Sequence, residues 1–182
     1  MALKKVLTIA GSDTSAGAGM QADLKTFQEL DVYGMVALTA IVTMDKATWS
    51  HDVTPLPMDV FEKQLETAIS IGPDAIKTGM LGTEEIIKRA GEVYEQSGAD
   101  YFVVDPVMVC KGEDEVLNPG NTDAMIQYLL PKATVVTPNL FEAGQLSGLG
   151  KLTSIEDMKK AAQIIFDKGT KHVIIKGGKA LD

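Results

Sequence analysis

Gly11-Ser-Asp-Thr-Ser-Ala-Gly17-Ala-Gly19 follows the apolar run of residues 5–10 and opens a helical pattern over residues 20–30. A strand that ends in a glycine-rich turn and passes into a helix is the first unit of an α/β sheet, whose ligands gather at the carboxyl ends of the strands. Two more polar elements fall where strands should end, Asp105-Pro106 and Thr137-Pro-Asn139-Leu-Phe-Glu142. Three such elements on one edge converge on one crevice, a small-molecule site suited to phosphate.

The same alternation runs along the rest of the chain. Residues 5–10, 35–43, 75–78, 101–105, 134–137 and 172–176 are short apolar or β-branched runs, read as strands buried on both faces. Amphipathic stretches cover residues 20–30, 58–71, 84–96, 122–130, 140–147 and 155–168. In the second of these Val60, Phe61, Leu65, Ala68 and Ile69 recur at helical spacing, which makes that side the core side. Repeated β-then-α units predict right-handed crossovers and a largely parallel sheet, in one domain over residues 1–182. Residues 44–57 and 106–121 carry no periodicity and are expected to be loops on the site side. The segment Lys176-Gly-Gly-Lys-Ala-Leu-Asp182 follows a buried strand without a covering helix, so a sheet edge or face is expected to lack its neighbour and the chain reads as cut short.

Seventeen Lys plus Arg against twenty-five Asp plus Glu leave a net charge of −8 and no basic stripe. A polyphosphate backbone meets repulsion from such a surface, so nucleic acid is not an expected partner. Nothing approaches the roughly 20 apolar residues of a membrane span, and the apolar run before Gly11 is too short for a signal peptide. The single cysteine, Cys110, gives neither an internal disulfide nor a zinc-finger spacing and fits a reducing cytoplasm. An acidic chain still binds ATP where a few N–H groups, a lysine and Mg²⁺ outweigh a diffuse field screened beyond about 8–10 Å.

Each motif carries a structural reading beside its functional one. Gly17-Ala-Gly19-Met-Gln-Ala22 fits the glycine fingerprint of dinucleotide sites. However, Gly11 and Gly17 stand too far apart for the tight first turn, and no acid ends the second strand to hold a ribose. A flexible βα loop and a substrate loop both remain. Asp13 is the candidate to bond a substrate hydroxyl, whereas Asp23, inside the helix, reads as a solvated or dipole-complementing carboxylate. Asp105 either caps a local turn or faces the crevice, where one carboxylate suffices for Mg²⁺. Asn139 and Glu142 have capping-box spacing, and the helix start they would cap is itself an anion site. Lys176, before two glycines, is a solvated cation or a phosphate contact. Cys110 beside Lys111 is a small hydrophobe or an activated thiol. His51 and His172 form no triad with any serine and aspartate, and Met44, Met80 and Met108 are pocket lining or core filler.

Leu7-Thr-Ile-Ala-Gly-Ser-Asp13, Gly17-Ala-Gly-Met-Gln-Ala-Asp-Leu-Lys25, Lys77-Thr-Gly-Met80, Val104-Asp-Pro-Val-Met108 and Thr137-Pro-Asn-Leu-Phe-Glu-Ala143 together resemble the hydroxymethylpyrimidine kinase and pyridoxine kinase branch of the ribokinase-like superfamily. The resemblance covers essentially the whole chain, in order. It implies a three-layer α/β fold with a largely parallel sheet, and ATP- and Mg²⁺-dependent phosphorylation of a hydroxymethyl group on a small heteroaromatic ring. By the family pattern Gly11, Asp13, Met44, His51, Met80, Val107 and Cys110 line the substrate pocket. Asp105 and Glu142 organise Mg²⁺, Asn139 and Lys176 contact the nucleotide, and the assembly is a homodimer.

Two departures matter. The family resembled here continues past the position of Asp182 into a glycine-rich anion-hole turn that carries the catalytic base. By the resemblance, then, no catalytic residue is expected within these 182 residues, and base and anion hole are expected beyond Asp182. Losing a base costs about 10²–10⁴ in rate and losing an oxyanion donor about 10²–10³, so these 182 residues alone are expected to be nearly inactive. The second departure is Met44-Asp45, where the pyrimidine kinases place a glutamine that pairs with an aminopyrimidine. Methionine cannot make that pair, so a pyridine ring, as pyridoxal or pyridoxine, is the first expectation and hydroxymethylpyrimidine the second. An aldehyde substrate could add reversibly to the Cys110 thiol. Two readings of other classes stay open, a non-catalytic ligand-binding fragment and, last, a nicotinamide dehydrogenase.

Overall fold

The computed structural model describes residues 3–108 and 119–178. In chain order the elements are β1 (Lys5–Ala10), α1 (Gly19–Glu29), β2 (Tyr33–Leu38), β3 (Ala40–Met44), β4 (His51–Pro55), α2 (Met58–Ile71), β5 (Ala75–Thr78), α3 (Glu84–Ser97) and β6 (Tyr101–Val104). After them come α4 (Pro119–Tyr128), a 3-10 turn (Leu130–Lys132), β7 (Val135–Val136), α5 (Leu140–Ser147), α6 (Ile155–Asp167) and β8 (His172–Val173). Six strands make one sheet in the order β2-β1-β5-β6-β7-β8, every neighbouring pair parallel. β3 and β4 stand apart as an antiparallel ribbon.

Strand register sorts the side chains into two faces. Leu7 aligns with Ile76 and Phe102, and Ile9 aligns with Thr78, Val104 and Val136; all seven are fully buried. Helices α2 to α5 bring Phe61, Leu65, Ile87, Met125, Leu129 and Leu146 into the same apolar cluster, and Tyr94 stacks on Phe102 at 4.6 Å between ring centres. The helix termini suit this packing: Thr83, Asn139 and Ser154 accept N-cap bonds, and Gly72, Gly98 and Gly148 close α2, α3 and α5 in the left-handed conformation. The other face carries Thr8, Lys77, Val103, Val135 and His172. Helix α1 covers it over β1 and β2, whereas Tyr101 on β6 is 58% exposed. The strands are therefore not all buried on both faces.

Three expectations are corrected. The run 35–43 is not one strand: β2 stops at Leu38, whose backbone N–H and C=O are both taken by the Gln64 side-chain amide, at 2.9 and 3.1 Å. The chain turns at buried Thr39 into β3. The segment 44–57 is not a loop, since its second half is β4, paired with β3 so that Met44 faces His51. Val60 lies outside the core side of α2, at 39% exposure.

Candidate functional site

In the sheet order, the connections from β1 and β5 leave in opposite directions, β1 toward β2 and β5 toward β6. The crevice beyond two such strands is where α/β sheets bind ligands. Gly11 follows β1 there and Met80 follows β5. Met80 lies across Gly11 so closely that a Cβ on Gly11 would stand 2.7 Å from the methionine Cε. Thr39 holds that segment from beneath, donating its hydroxyl to the Met80 carbonyl at 2.7 Å.

The glycine loop is braced from inside. Asp13 accepts from the Ser15 N–H (2.9 Å), the Ser15 hydroxyl (2.8 Å) and the Ala18 N–H (2.7 Å). Burial alone would raise the Asp13 carboxyl, but donation from Ser15, Ala18 and Gly17 outweighs it and holds the group below its ordinary value. Those bonds also sustain Ala16 at φ 59°, a left-handed value unfavourable for alanine. Gly19 enters α1 at φ 61°, and a Cβ there would meet the Gly11 carbonyl oxygen at 2.7 Å. Helix α1 thus starts directly against the end of β1, with the Met20 N–H donating to the Gly11 carbonyl at 2.9 Å and Gln21 accepting from the Asp13 N–H at 2.8 Å.

The β3–β4 ribbon runs beside this loop. Ser12 donates from its backbone N–H to the Ala40 carbonyl and accepts through its hydroxyl from the Val42 N–H, and Thr14 donates twice to the Val42 carbonyl. Met44 and His51 close the ribbon as cross-strand neighbours. Asp45 organises the turn between them, accepting from the backbone of Thr48 and Ala47 and from the Thr48 hydroxyl, which holds its carboxyl below the ordinary range.

The second half of the site lies beyond β6, β7 and β8. Asp105 continues β6, Asn139 and Glu142 begin α5, and Lys176 follows β8 beside Asn139 in a parallel bridge. The Lys176 ammonium reaches Asp105 Oδ1 at 3.0 Å, and the Thr137 hydroxyl approaches the same oxygen at 3.4 Å. Asn139 and Glu142 form the capping box, each side chain accepting from the other's backbone N–H at 2.8 Å. Glu142 is only 4% exposed. Burial pushes its carboxyl up to about 7, assisted by the Asp105 charge and opposed by the Asn139 N–H, Lys176 and the Met108 amide. Val107 stands beside Asp105, donating its N–H to the Asp105 carbonyl at 2.9 Å.

Asp105 and the buried Glu142, whose charge Asp105 disfavours and Lys176 only partly offsets, are donors suited to a hard divalent cation. Among the described residues no cluster of three or more metal-ligating side chains occurs; Mg²⁺ needs only one or two carboxylates, with waters and phosphate oxygens as the remainder. The N-terminus of α5 adds the positive end of a helix dipole, which favours an anion.

Sequence reasoning missed one residue set. Asp23 is not solvated: its Oδ2 accepts from Lys77 Nζ at 2.8 Å and from the Thr8 hydroxyl at 2.6 Å. No local signal could reveal a partner 54 positions away. Gln21, Thr39 and Thr137 were also overlooked. Cys110 and Lys111 lie outside the described residues. So does Asp182, with the three residues before it, beyond which the base and anion hole are expected.

Comparison with known proteins follows from this geometry. The family described as phosphomethylpyrimidine kinase matches residues 13–182. A pyridoxine kinase of Bacillus subtilis is 53% identical over 98% of this chain and 66% of its own length. A hydroxymethylpyrimidine/phosphomethylpyrimidine kinase of the same organism is 43% identical over 98% of this chain and 65% of its own. The solved pyridoxal kinase of Staphylococcus aureus in complex with AMP-PCP superposes with a TM-score of 0.96 at 93% identity, covering 100% of this chain and 66% of that one. The chain thus spans just under two thirds of the length of these relatives.

Proposed function

The chain belongs to the phosphomethylpyrimidine kinase family, and from that premise we propose that it acts in ATP-dependent phosphorylation of the hydroxymethyl group of pyridoxal or pyridoxine. The observation that carries the reading is the pairing of the glycine loop and Met80, beyond β1 and β5, with the Asp105, Glu142 and Lys176 group on the same sheet edge. Phosphoryl transfer rests on positioning and charge neutralisation, and these two groups divide that work.

In this reading Gly11, Asp13, Met44, His51, Met80, Val107 and Cys110 surround the ring. Asp13 acts there through its loop, since its oxygens already accept from Ser15 and Ala18. Asn139 and Lys176 meet the nucleotide phosphates, and Asp105 and Glu142 hold Mg²⁺, which when bound neutralises phosphate charge. The Asp105–Lys176 bond keeps the ammonium over the carboxylate until a phosphate offers a second anion. Met44, opposite His51, offers no amide to an aminopyrimidine, which favours the pyridine ring; hydroxymethylpyrimidine is the second acceptor, favoured by the 43% identical relative. Residues 1–182 form one domain of a cytoplasmic homodimer, the exposed Ile41 side of the β3–β4 ribbon being the candidate contact. Among the described residues no helix is long and apolar enough to cross a membrane.

The test is Mg²⁺- and ATP-dependent phosphorylation of pyridoxal and hydroxymethylpyrimidine side by side, with calorimetric binding of each ring. Tighter binding of pyridoxal is the expected result. Preference for the pyrimidine overturns the ring assignment. A Cys110→Ala protein with unchanged pyridoxal affinity rules out the thiol adduct.

A further inference from the structure

Beneath the glycine loop, one carboxylate oxygen of α1 ties together two strands. Thr8 and Lys77 are direct neighbours across the β1–β5 pair, so both point to the α1 face, and both donate to the same Asp23 Oδ2. The pair is largely enclosed, with 20% of the Lys77 side chain and 17% of the Asp23 side chain exposed. An enclosed ion pair contributes little net stability, because the desolvation of both charges offsets their attraction, so such pairs are better explained by the geometry they impose.

That geometry underlies the Gly11 and Met80 backbone of the proposed ring site. Thr8 stands three residues before Gly11 and Lys77 three residues before Met80. The ammonium of Lys77 folds toward the crevice end of its strand, where a Cβ added to Gly79 would lie 3.2 Å from it. Asp23 sits one turn into α1, the helix whose first residues abut the Gly11 carbonyl and whose Gln21 accepts from the Asp13 N–H. A single oxygen therefore fixes the height of the glycine loop against the Gly11 and Met80 backbone. None of these contacts reaches Asp105, Glu142 or Lys176.

We propose that Asp23 and Lys77 are positioning residues for the ring half of the site, setting acceptor affinity while leaving nucleotide affinity alone. This rests on the kinase reading above. The experiment is calorimetric titration of the intact protein with pyridoxal and, separately, with a non-hydrolysable ATP analogue, for wild type, Lys77→Met, Lys77→Arg and Asp23→Asn. Pyridoxal affinity is expected to fall roughly tenfold to a hundredfold in Lys77→Met and Asp23→Asn, the scale of a misplaced binding group. Nucleotide affinity stays within about twofold and Lys77→Arg recovers much of the loss, because arginine restores the charge-assisted bond. Unchanged pyridoxal affinity in the folded variants, or equal loss for both ligands, overturns the inference; melting temperatures separate the second case from simple unfolding. Should Lys77→Met fail to fold, Lys77→Arg and Asp23→Asn decide it by the same split. Wild-type protein that binds neither ring overturns the kinase reading itself, a different result from wild type that binds and variants that bind equally.

Discussion

The two halves of the site treat a carboxylate in opposite ways. Asp13, under the glycine loop, takes three hydrogen bonds from its own loop and is held below its ordinary value. Glu142, at the start of α5, is more deeply buried, accepts from fewer donors and stands beside a second acid, and its carboxyl rises to about 7. The first is a finished structural charge, already neutralised by the protein. The second leaves a charge that the protein only partly satisfies, the condition expected where an outside cation or phosphate completes the balance. Under the kinase reading, the proposed ring side is thus arranged in advance by the loop's own hydrogen bonds, whereas the proposed phosphate side is left for a ligand to complete.

The largest test of this division is Asp105→Asn in the intact protein. Under the proposal that Asp105 holds Mg²⁺, removing its charge should cost roughly 10³-fold in phosphorylation, several kcal/mol of transition-state charge stabilisation, while pyridoxal affinity stays within about twofold. A parallel loss of pyridoxal affinity would break the division, because the halves would not be separable.

Next in size is Asp13→Ala, expected to destabilise the fold by about 1.5–3 kcal/mol, the scale of hydrogen bonds to a charged group, by removing the acceptor that holds the Ser15 and Ala18 donors of the loop. Its contribution has a definite direction with pH. Because the folded carboxyl sits below its unfolded value, the stabilisation is present above the ordinary value of 3.8 and is lost as pH falls through the folded one. Chemical denaturation of wild type and Asp13→Ala should therefore converge on acidification. A gap that persists unchanged into acid would show that the loop does not depend on the charge.

Glu142 gives the opposite slope. Its folded value of about 7 exceeds the ordinary 4.5, so its contribution is fully present below 4.5 and declines as pH rises toward 7. Glu142→Gln keeps an acceptor for the Asn139 N–H and removes the buried charge. The variant should be more stable than wild type by roughly 1–3 kcal/mol near pH 8 and equal to it near pH 4–5, while its Mg²⁺-dependent turnover falls. Added Mg²⁺ should narrow the stability gap, since a cation that binds the folded carboxylate restores what burial costs. A variant less stable than wild type at every pH would mean the capping box needs the charge itself.

The division also separates what the sequence could and could not reveal. The glycine loop, Asp105 and the Asn139 to Glu142 cap were readable because each is local: strand end, turn chemistry and helix start lie within a few residues. The break at Thr39 was not, because the apolar run from Met35 to Thr43 contains neither glycine nor proline; what divides it is Gln64 on α2 taking Leu38's backbone groups and Thr39 bonding to Met80. β4 reads as a loop for the complementary reason. His51-Asp-Val-Thr-Pro55 has a single aliphatic residue, and its strand form comes from pairing with β3. Asp23 looked like a surface acid on a helix because Thr8 and Lys77 reach it only through the sheet register.

The finest test separates two side chains that approach the same oxygen. Lys176 meets Asp105 Oδ1 at 3.0 Å with a full charge, while the Thr137 hydroxyl stands at 3.4 Å, near the limit of a hydrogen bond. Lys176→Met should weaken ATP-analogue binding by roughly tenfold, the scale of a lost charge-assisted contact. Thr137→Val should change it by less than about twofold, since the long bond contributes little and valine preserves the shape. Pyridoxal affinity should be insensitive to both, because neither residue touches the Gly11 and Met80 side of the crevice. If Thr137→Val instead matched Lys176→Met, the hydroxyl rather than the ammonium would be orienting Asp105. The phosphate half would then be pre-arranged by neutral hydrogen bonds like the glycine loop, and the contrast between the two halves would disappear.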